Sequence, residues 1–310
     1  MDKDRLELSK LTLGTVQLGM PYGIANQHGM PDENLAQNIL EEAWRNGITS
    51  FDTAAAYGES EKRIGAFVET HPDRVPFLFI ATKGTLIPSL TLTKEECETS
   101  LSEQLEASIR ALRLPAVPLY MAHRYEDLRR YPKAYAAFFR HAKERGRIRW
   151  AGVSLYSPEE AEEILDPLRE GPALDALQIP FNLFDRRFLE NRLLDRLKDS
   201  GFKIFTRSVF LQGLFFLPGD SLPDKIRKAA PFLRRLNALS TEYGIGIREM
   251  AMGYVQRRVN PDSMLIGVES LAQLRENLET FWKQLPDELL ENIEKTVADI
   301  PPSVFDPRKW

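Results

Sequence analysis

The sequence predicts a closed (β/α)8 barrel, built as a single domain over residues 1–310. Short apolar runs, rich in β-branched and aromatic residues, recur roughly every 25–40 residues. Amphipathic helical patterns separate them, the order expected of βαβ units on a parallel sheet. No composition break or Pro/Ser-rich linker divides the chain, and eight such units in about 300 residues close into a barrel. An open doubly wound sheet is the other arrangement of such units, but no G-x-G-x-x-G follows the first strand.

The eight runs are Leu11–Gly14, Ile48–Thr53, Phe77–Lys83, Pro118–His123, Ile148–Ser154, Ala176–Pro180, Lys203–Ser208 and Met264–Val268. Most lack polar alternation, as strands covered on both faces do. Asp32–Asn46 sets Leu35, Ile39, Leu40 and Ala43 at helical spacing, and Glu95–Leu114 carries Leu101, Leu105, Ile109 and Leu112 on one side. Ser157-Pro158-Glu159-Glu160 reads as a helix start, with Ser157 as N-cap and Glu160 completing a capping box. Gly47, Gly146 and Gly201 stand where helices should end. The long interval from Ser208 to Met264 has room for extra helices around Pro223–Tyr243 and Arg248–Arg258. A last helix near Asp287–Ala298 precedes the tail Ser303–Trp310.

Composition narrows the function. Lys plus Arg is 41 against 45 Asp plus Glu, a net charge of −4, so no basic surplus exists to neutralise nucleic-acid phosphates. Hydrophobic content of 43% and charged content of 28% exclude bulk disorder. The single cysteine, Cys97, excludes a disulfide framework and a Cys-based metal site, and fits the reducing cytoplasm. His28, His71, His123 and His141 show no ligand spacing, so no metal is expected. The N-terminus has no signal-peptide-like run, and no apolar run reaches the ~18 residues of a membrane span.

Barrel active sites lie at the C-terminal ends of the strands. Asp52 ends the second run, with Tyr57 in the loop after it; Lys83 ends the third, His123 the fourth and Ser154 the fifth, and Gln178 lies late in the sixth. Each alone has an ordinary structural explanation as a cap, a packed ring or a solvated charge. Together they converge on one mouth. A tyrosine pKa near 10 is too high for ready proton exchange at neutral pH, and a nearby Lys ammonium lowers it. Asp52 paired with Lys83 would hold that lysine charged, and His123 could donate a hydrogen bond to a substrate oxygen. A proton donor beside a polarised carbonyl suits carbonyl reduction, with hydride from a cofactor.

The chain resembles the aldo-keto reductase superfamily over its whole length. The carrying motifs are Gly47–Ala54 with Tyr57-Gly58 and Ser60-Glu61, then Ala81-Thr82-Lys83, His123 and Gly152-Val153-Ser154. Gln178 with Asn182–Arg186 follows, and Gly267, Gln273-Leu274 and Glu276-Asn277-Leu278 close the set. The resemblance implies a (β/α)8 barrel and reduction of aldehydes or ketones with NAD(P)H, usually NADPH. It implies a catalytic tetrad of Asp52, Tyr57, Lys83 and His123, with Tyr57 as general acid. It also implies that Ser154 and Gln178 hold the nicotinamide carboxamide and that Gly14-Thr15 lines the cofactor. Ser208 and Gln212, in the loop after the seventh strand, join the expected cofactor contacts, as do Gly267, Glu269, Gln273, Glu276 and Asn277. The last stretch resembles the shorter form found in potassium-channel beta subunits.

Three positions depart from the common pattern. Leu155 replaces an Asn that would contact the carboxamide. Arg207 stands where an aromatic ring usually stacks on the nicotinamide; a planar guanidinium can stack there, or reach a phosphate, and its charge would disfavour the oxidised cofactor. Glu269 replaces a Ser near the ribose 2′ position. A carboxylate there repels a 2′-phosphate and accepts from a free 2′-OH, so NADPH is the first expectation and NADH stays open. Tyr22 in the loop after the first strand, Tyr57 after the second, His123 at the end of the fourth and Arg124 in the loop after it are the expected substrate contacts, and these polar and aromatic loops suggest a small polar substrate such as a sugar or keto acid. Phe305 and Trp310 are tail aromatics able to fold over the mouth. The other readings are a cofactor-binding regulatory subunit, and a sugar or alcohol dehydrogenase working in the oxidative direction. The sequence names neither the substrate nor the oligomeric state.

Overall fold

The computed structural model describes residues 8–86, 91–166, 171–219 and 222–310. Eight parallel strands form a closed barrel in chain order. They are β1 Leu11–Gly14, β2 Ser50–Asp52, β3 Phe79–Gly84, β4 Val117–Ala122, β5 Ile148–Ser154, β6 Ala176–Pro180, β7 Lys203–Arg207 and β8 Ser263–Gly267. β8 closes on β1 with Gly14 opposite Gly267. Two apolar layers follow from the period-2 alternation of strand side chains. One lies between the barrel and its helices, through residues such as Leu13, Phe51, Ile80, Tyr120, Val153 and Ile204. The other fills the barrel itself, where Phe79, Ala81, Leu119, Met121, Ala176, Phe205 and Leu265 pack together with Trp150 against them. The barrel is therefore a packed plug whose upper end alone is free for chemistry.

The helices form largely as read. Glu33–Arg45 starts at Asp32, whose side chain accepts from the Leu35 N–H at 2.8 Å. Lys94–Leu112 starts one residue before the expected Glu95, because Thr93 and Glu96 form a reciprocal capping box. Pro158–Leu165 follows Ser157, whose backbone N–H donates to the Glu160 carboxylate at 3.3 Å. Gly47, Gly146 and Gly201 take left-handed φ values of 80°, 65° and 87°, which a side chain disfavours. Ala230–Tyr243, Ile247–Arg258 and Asp287–Thr296 fill the late part of the chain.

Two strands start later than expected. Ile48 closes the turn that ends the preceding helix, its N–H donating to the Ala43 carbonyl at 2.9 Å. Pro72–Phe77 is a 3-10 helix containing Pro76, which leaves Phe77 53% exposed and delays β3 to Phe79. Among the described residues, no helix is long and apolar enough to cross a membrane.

Candidate active site

Register decides which side chains reach the mouth. Gly14 pairs with Asp52, Asp52 with Ala81, Ser154 with Gln178, and Pro180 with Arg207. Paired residues share a face, and Ala81 faces the barrel interior. Asp52 and Lys83 therefore both point inward at the top. Lys83 Nζ donates to Asp52 Oδ1 at 2.5 Å and to the Thr53 carbonyl at 2.9 Å; Gln178 Nε2 donates to Asp52 Oδ2 at 2.8 Å. Lys83 is 1% and Asp52 3% exposed. Burial drives the Lys83 pKa down, and the Asp52 charge opposes that shift.

Tyr57 is placed by backbone contact. The Tyr57 N–H donates to the Ala54 carbonyl at 2.9 Å, and the Glu59 N–H to the Gly19 carbonyl at 3.0 Å. A Cβ on Gly19 would collide with the Tyr57 carbonyl, and one on Gly58 (φ 55°) with the Gly19 carbonyl. The loop after β1 thus lies directly on the tyrosine loop. Arg63, missed in the sequence reading, ties the two by donating to the carbonyls of Leu18 and Pro31. Thr15 Oγ1 donates to the Asp52 carbonyl at 2.8 Å and shares a 2.6 Å hydrogen bond with Ser60.

His123 meets Tyr57 edge to face, ring centres 5.6 Å apart. Burial pushes its pKa down to about 3, with the charges of Lys83, Arg207 and Arg124 adding to the effect. Its ring is therefore neutral at neutral pH. Lys83 Nζ lies 5.2 Å from the Tyr57 ring centre. The expected lowering of the Tyr57 pKa by Lys83 is not what this structure shows. Burial and the Asp52 charge raise it, and Arg207 is the cation that acts against them. Lys83 spends its charge on Asp52.

A cavity of about 560 Å³ opens above this cluster, within the range of small-molecule sites. Tyr22, Tyr57, His123, Gly14, Thr15, Asp52, Ser154 and Gln178 line it, as do Arg207, Ser208, Gln212, Gly267, Glu269, Gln273 and Glu276. Lys83 lies behind Asp52 rather than on the wall. Asn277 is buried beneath it, with Oδ1 accepting from Arg248 at 2.5 Å. Arg124 does not line the cavity: its guanidinium bonds Asp127 at 2.8 Å and the Leu86 carbonyl at 2.8 Å. Asn26 lines the cavity as well and organises its turn by accepting from the His28 and Gly29 N–H groups, while His28 does not line it.

At the β8 end, Glu269 and Gln273 lock each other. The Glu269 N–H donates to Gln273 Oε1 at 2.9 Å, and Gln273 Nε2 donates to Glu269 Oε1 at 3.2 Å. Glu269 Oε2, Gln17 Oε1 and Asn277 Nδ2 are buried with no partner. Gln17 lies over Gly267, where a Cβ would strike its amide. Unpaired buried polar atoms ask for a ligand. The unpaired Gln17 and Glu269 oxygens and the Gly14 and Gly267 floor on the cavity wall fit a nucleotide cofactor.

Around the expected Arg207, Ser208 and Gln212 stand Tyr156, Arg248 and Arg308, which sequence reasoning missed. Arg207 stacks on the Tyr156 ring at 4.4 Å, and the tail residue Arg308 stacks on the same ring, also at 4.4 Å. Arg248 stacks on Phe210 and Phe216 and donates to Glu276 at 2.6 Å. Ser208, Leu211 and Gln212 take positive φ values of 62°, 47° and 56°, strain that favours a functional loop. The tail aromatics do not cover the mouth. Phe305 is 6% exposed in the core, and Trp310 donates to the Val304 carbonyl at 3.3 Å.

Residues 10–298 match the aldo/keto reductase family. The chain is 26% identical to the L-glyceraldehyde 3-phosphate reductase of Escherichia coli (strain K12), over 94% of this chain and 91% of that protein. It is 26% identical to the NADH-specific methylglyoxal reductase of the same strain, over 91% and 92%. Identity to aldo-keto reductase YhdN of Bacillus subtilis (strain 168) is also 26%, over 95% and 92%. The barrel, the polar mouth and this match together establish that the chain belongs to the aldo/keto reductase family and is an NAD(P)H-dependent oxidoreductase that reduces carbonyls.

Proposed function

We propose that the chain reduces a small polar aldehyde or ketone, with Tyr57 as proton donor and NADH as the preferred cofactor. The carrying observation is the convergence of Tyr57, His123 and the buried Asp52–Lys83 pair at one mouth. The bound cofactor supplies the hydride. His123, neutral at pH 7, donates its ring N–H to the carbonyl oxygen. Tyr57 keeps its proton until the oxygen becomes basic enough to take it. Lys83, fixed by Asp52, braces the floor under the tyrosine ring, and Arg207 is the cation that favours the phenolate as that proton leaves. Ser154 and Gln178 orient the carboxamide, and the cavity wall of Tyr22 and Tyr156 excludes water.

The preference for NADH rests on charge. The cavity-lining cations among the described residues are Arg207 and Arg248; Arg248 is neutralised by Glu276, and Arg207 is held by the Leu155 carbonyl and the Tyr156 ring. Glu269 presents an unpaired carboxylate oxygen at the β8 end. That favours a ribose 2′-OH over a 2′-phosphate, and NADH specificity is named in one relative. Small polar carbonyls are named in two relatives. The single Cys97 is buried, in keeping with a cytoplasmic setting. The test is oxidation of NADH and NADPH with methylglyoxal as carbonyl probe. NADH-dependent turnover, abolished in Tyr57→Phe, supports the reading. Cofactor binding with no turnover of any aldehyde would instead favour a regulatory subunit.

A further inference from the structure

The arginines of the mouth differ in one respect. Arg308 is neutralised by Asp306 at 2.8 Å, Arg187 by Asp185 at 2.8 Å and Arg248 by Glu276 at 2.6 Å. Arg207 has no carboxylate partner among the described residues. Its guanidinium is nevertheless held in place. Nη2 donates to the Leu155 carbonyl at 2.8 Å, Nη1 to Ser208 Oγ at 3.1 Å, and the plane rests on Tyr156. Two of its five N–H groups are thus engaged. Arg207 lines the cavity that also holds Tyr57 and His123. Arg207 is also close enough to bear on the proton affinities of Tyr57, Lys83 and His123. A half-buried, positioned guanidinium without a counter-ion is a receptor for a planar or tetrahedral oxyanion.

We propose that Arg207 is the anion receptor of the substrate pocket and that the carbonyl substrate carries a carboxylate or phosphate group. This rests on the carbonyl-reductase reading above and adds the substrate class. The layered arrangement Arg308–Tyr156–Arg207 explains how the receptor is made. Tyr156 holds Arg207 from one side, and the tail braces Tyr156 from the other. The anion needs no partner from the half-buried Arg124, which Asp127 already occupies.

The test uses two matched pairs with NADH: succinic semialdehyde against butanal for a carboxylate, and glycolaldehyde phosphate against glycolaldehyde for a phosphate. Wild type should favour the charged member of at least one pair by on the order of 10–100-fold in kcat/KM, the worth of a charge-assisted pair of hydrogen bonds. The favoured pair identifies the anion. In Arg207→Gln that ratio should fall to near parity, mainly through KM, and Arg207→Lys should restore part of it. The NADH dissociation constant, read separately by fluorescence, reports on the cofactor side. The proposal is overturned by equal use of charged and neutral members in wild type, or by an unchanged ratio in Arg207→Gln. A loss of NADH affinity as large as the loss of substrate preference also overturns it, by assigning Arg207 to the cofactor. Those results leave aldehydes still reduced; if no aldehyde at all is reduced, the carbonyl-reductase reading fails with it.

Discussion

Replacing Glu269 by Gln should move the cofactor preference, and the charge removed sets the expected direction and rough size of the shift. Glu269 Oε1 is held by Gln273, while Oε2 is buried without a partner. In the variant, the amide oxygen can keep the Gln273 contact, which turns the new NH2 group to where Oε2 was. An acceptor carrying charge becomes a neutral donor. Two unit charges about 5 Å apart at an effective dielectric of about 20 interact by about 3 kcal/mol. Glu269 is only half-buried, and screening reduces that to about 1–2 kcal/mol. NADPH should therefore bind roughly 5–30-fold more tightly to the variant. NADH should weaken, because the 2′-OH loses a charged acceptor. The assay is a fluorescence titration of both proteins with both cofactors at one fixed salt concentration. The reasoning is refuted if wild type binds NADPH as tightly as NADH, or if the ratio of the two constants does not move.

Three further outcomes are expected. Tyr57→Phe should lower kcat by about 10²–10⁴-fold, the usual worth of a positioned general acid, while leaving NADH affinity in place; a rate within tenfold of wild type would mean that the proton comes from elsewhere. Lys83→Met strands the Asp52 carboxylate, 3% exposed, with only the Gln178 amide for support; about 3–5 kcal/mol should be lost, and calorimetry should show a Tm several degrees lower. The His123 pKa lies near 3 in the folded chain against about 6.5 unfolded. Between those values the unfolded state binds more protons, so stability falls as pH drops below about 6.5. The loss is at most about 2 kcal/mol by pH 5. His123→Gln should flatten that part of the profile in urea unfolding at pH 7 and pH 5; an equal slope in both proteins would show that another group sets it.

What the sequence made legible follows a physical pattern. Runs such as Phe-Ile-Ala-Thr-Lys and Leu-Tyr-Met-Ala-His read as strands because both faces are covered, and their last polar residue marks the mouth because the rest of the barrel is a plug. Asp52, Lys83 and Gln178 could be placed on one face from strand parity alone. Errors arise where local patterning and tertiary contact disagree. Phe77 looks like strand, but Pro76 bends the chain first. Arg124 looks like a substrate contact, but an aspartate three residues on captures it. The Arg308–Tyr156–Arg207 stack joins the tail to the loops after β5 and β7. No window of sequence contains it, and its only local trace is an arginine where related chains carry an aromatic residue. Gln17 over Gly267 is equally non-local, since its placement depends on β1 closing against β8.

The buried Asp52–Lys83 pair shows what the barrel top is built for. Taking two charges out of water is expensive, and well-packed apolar residues of similar size are often as stable or more so. Leu119, Met121 and Phe205 lower in the same barrel show that this interior packs well with apolar side chains. Stability therefore does not explain why Asp52 and Lys83 are there. Their geometry does. Asp52 accepts from both Lys83 and Gln178, which uses both carboxylate oxygens. Lys83 has the Thr53 carbonyl as a second acceptor. Every strong polar bond in the cluster is made before a substrate arrives, so little must reorganise when charge develops on Tyr57. Burial raises the Tyr57 pKa in the resting site, which keeps the proton on the hydroxyl until a carbonyl oxygen draws it. The same burial keeps His123 neutral. A mouth that holds its acid protonated and its imidazole uncharged is arranged to deliver a proton to an oxygen that is gaining negative charge. That is the demand reduction makes.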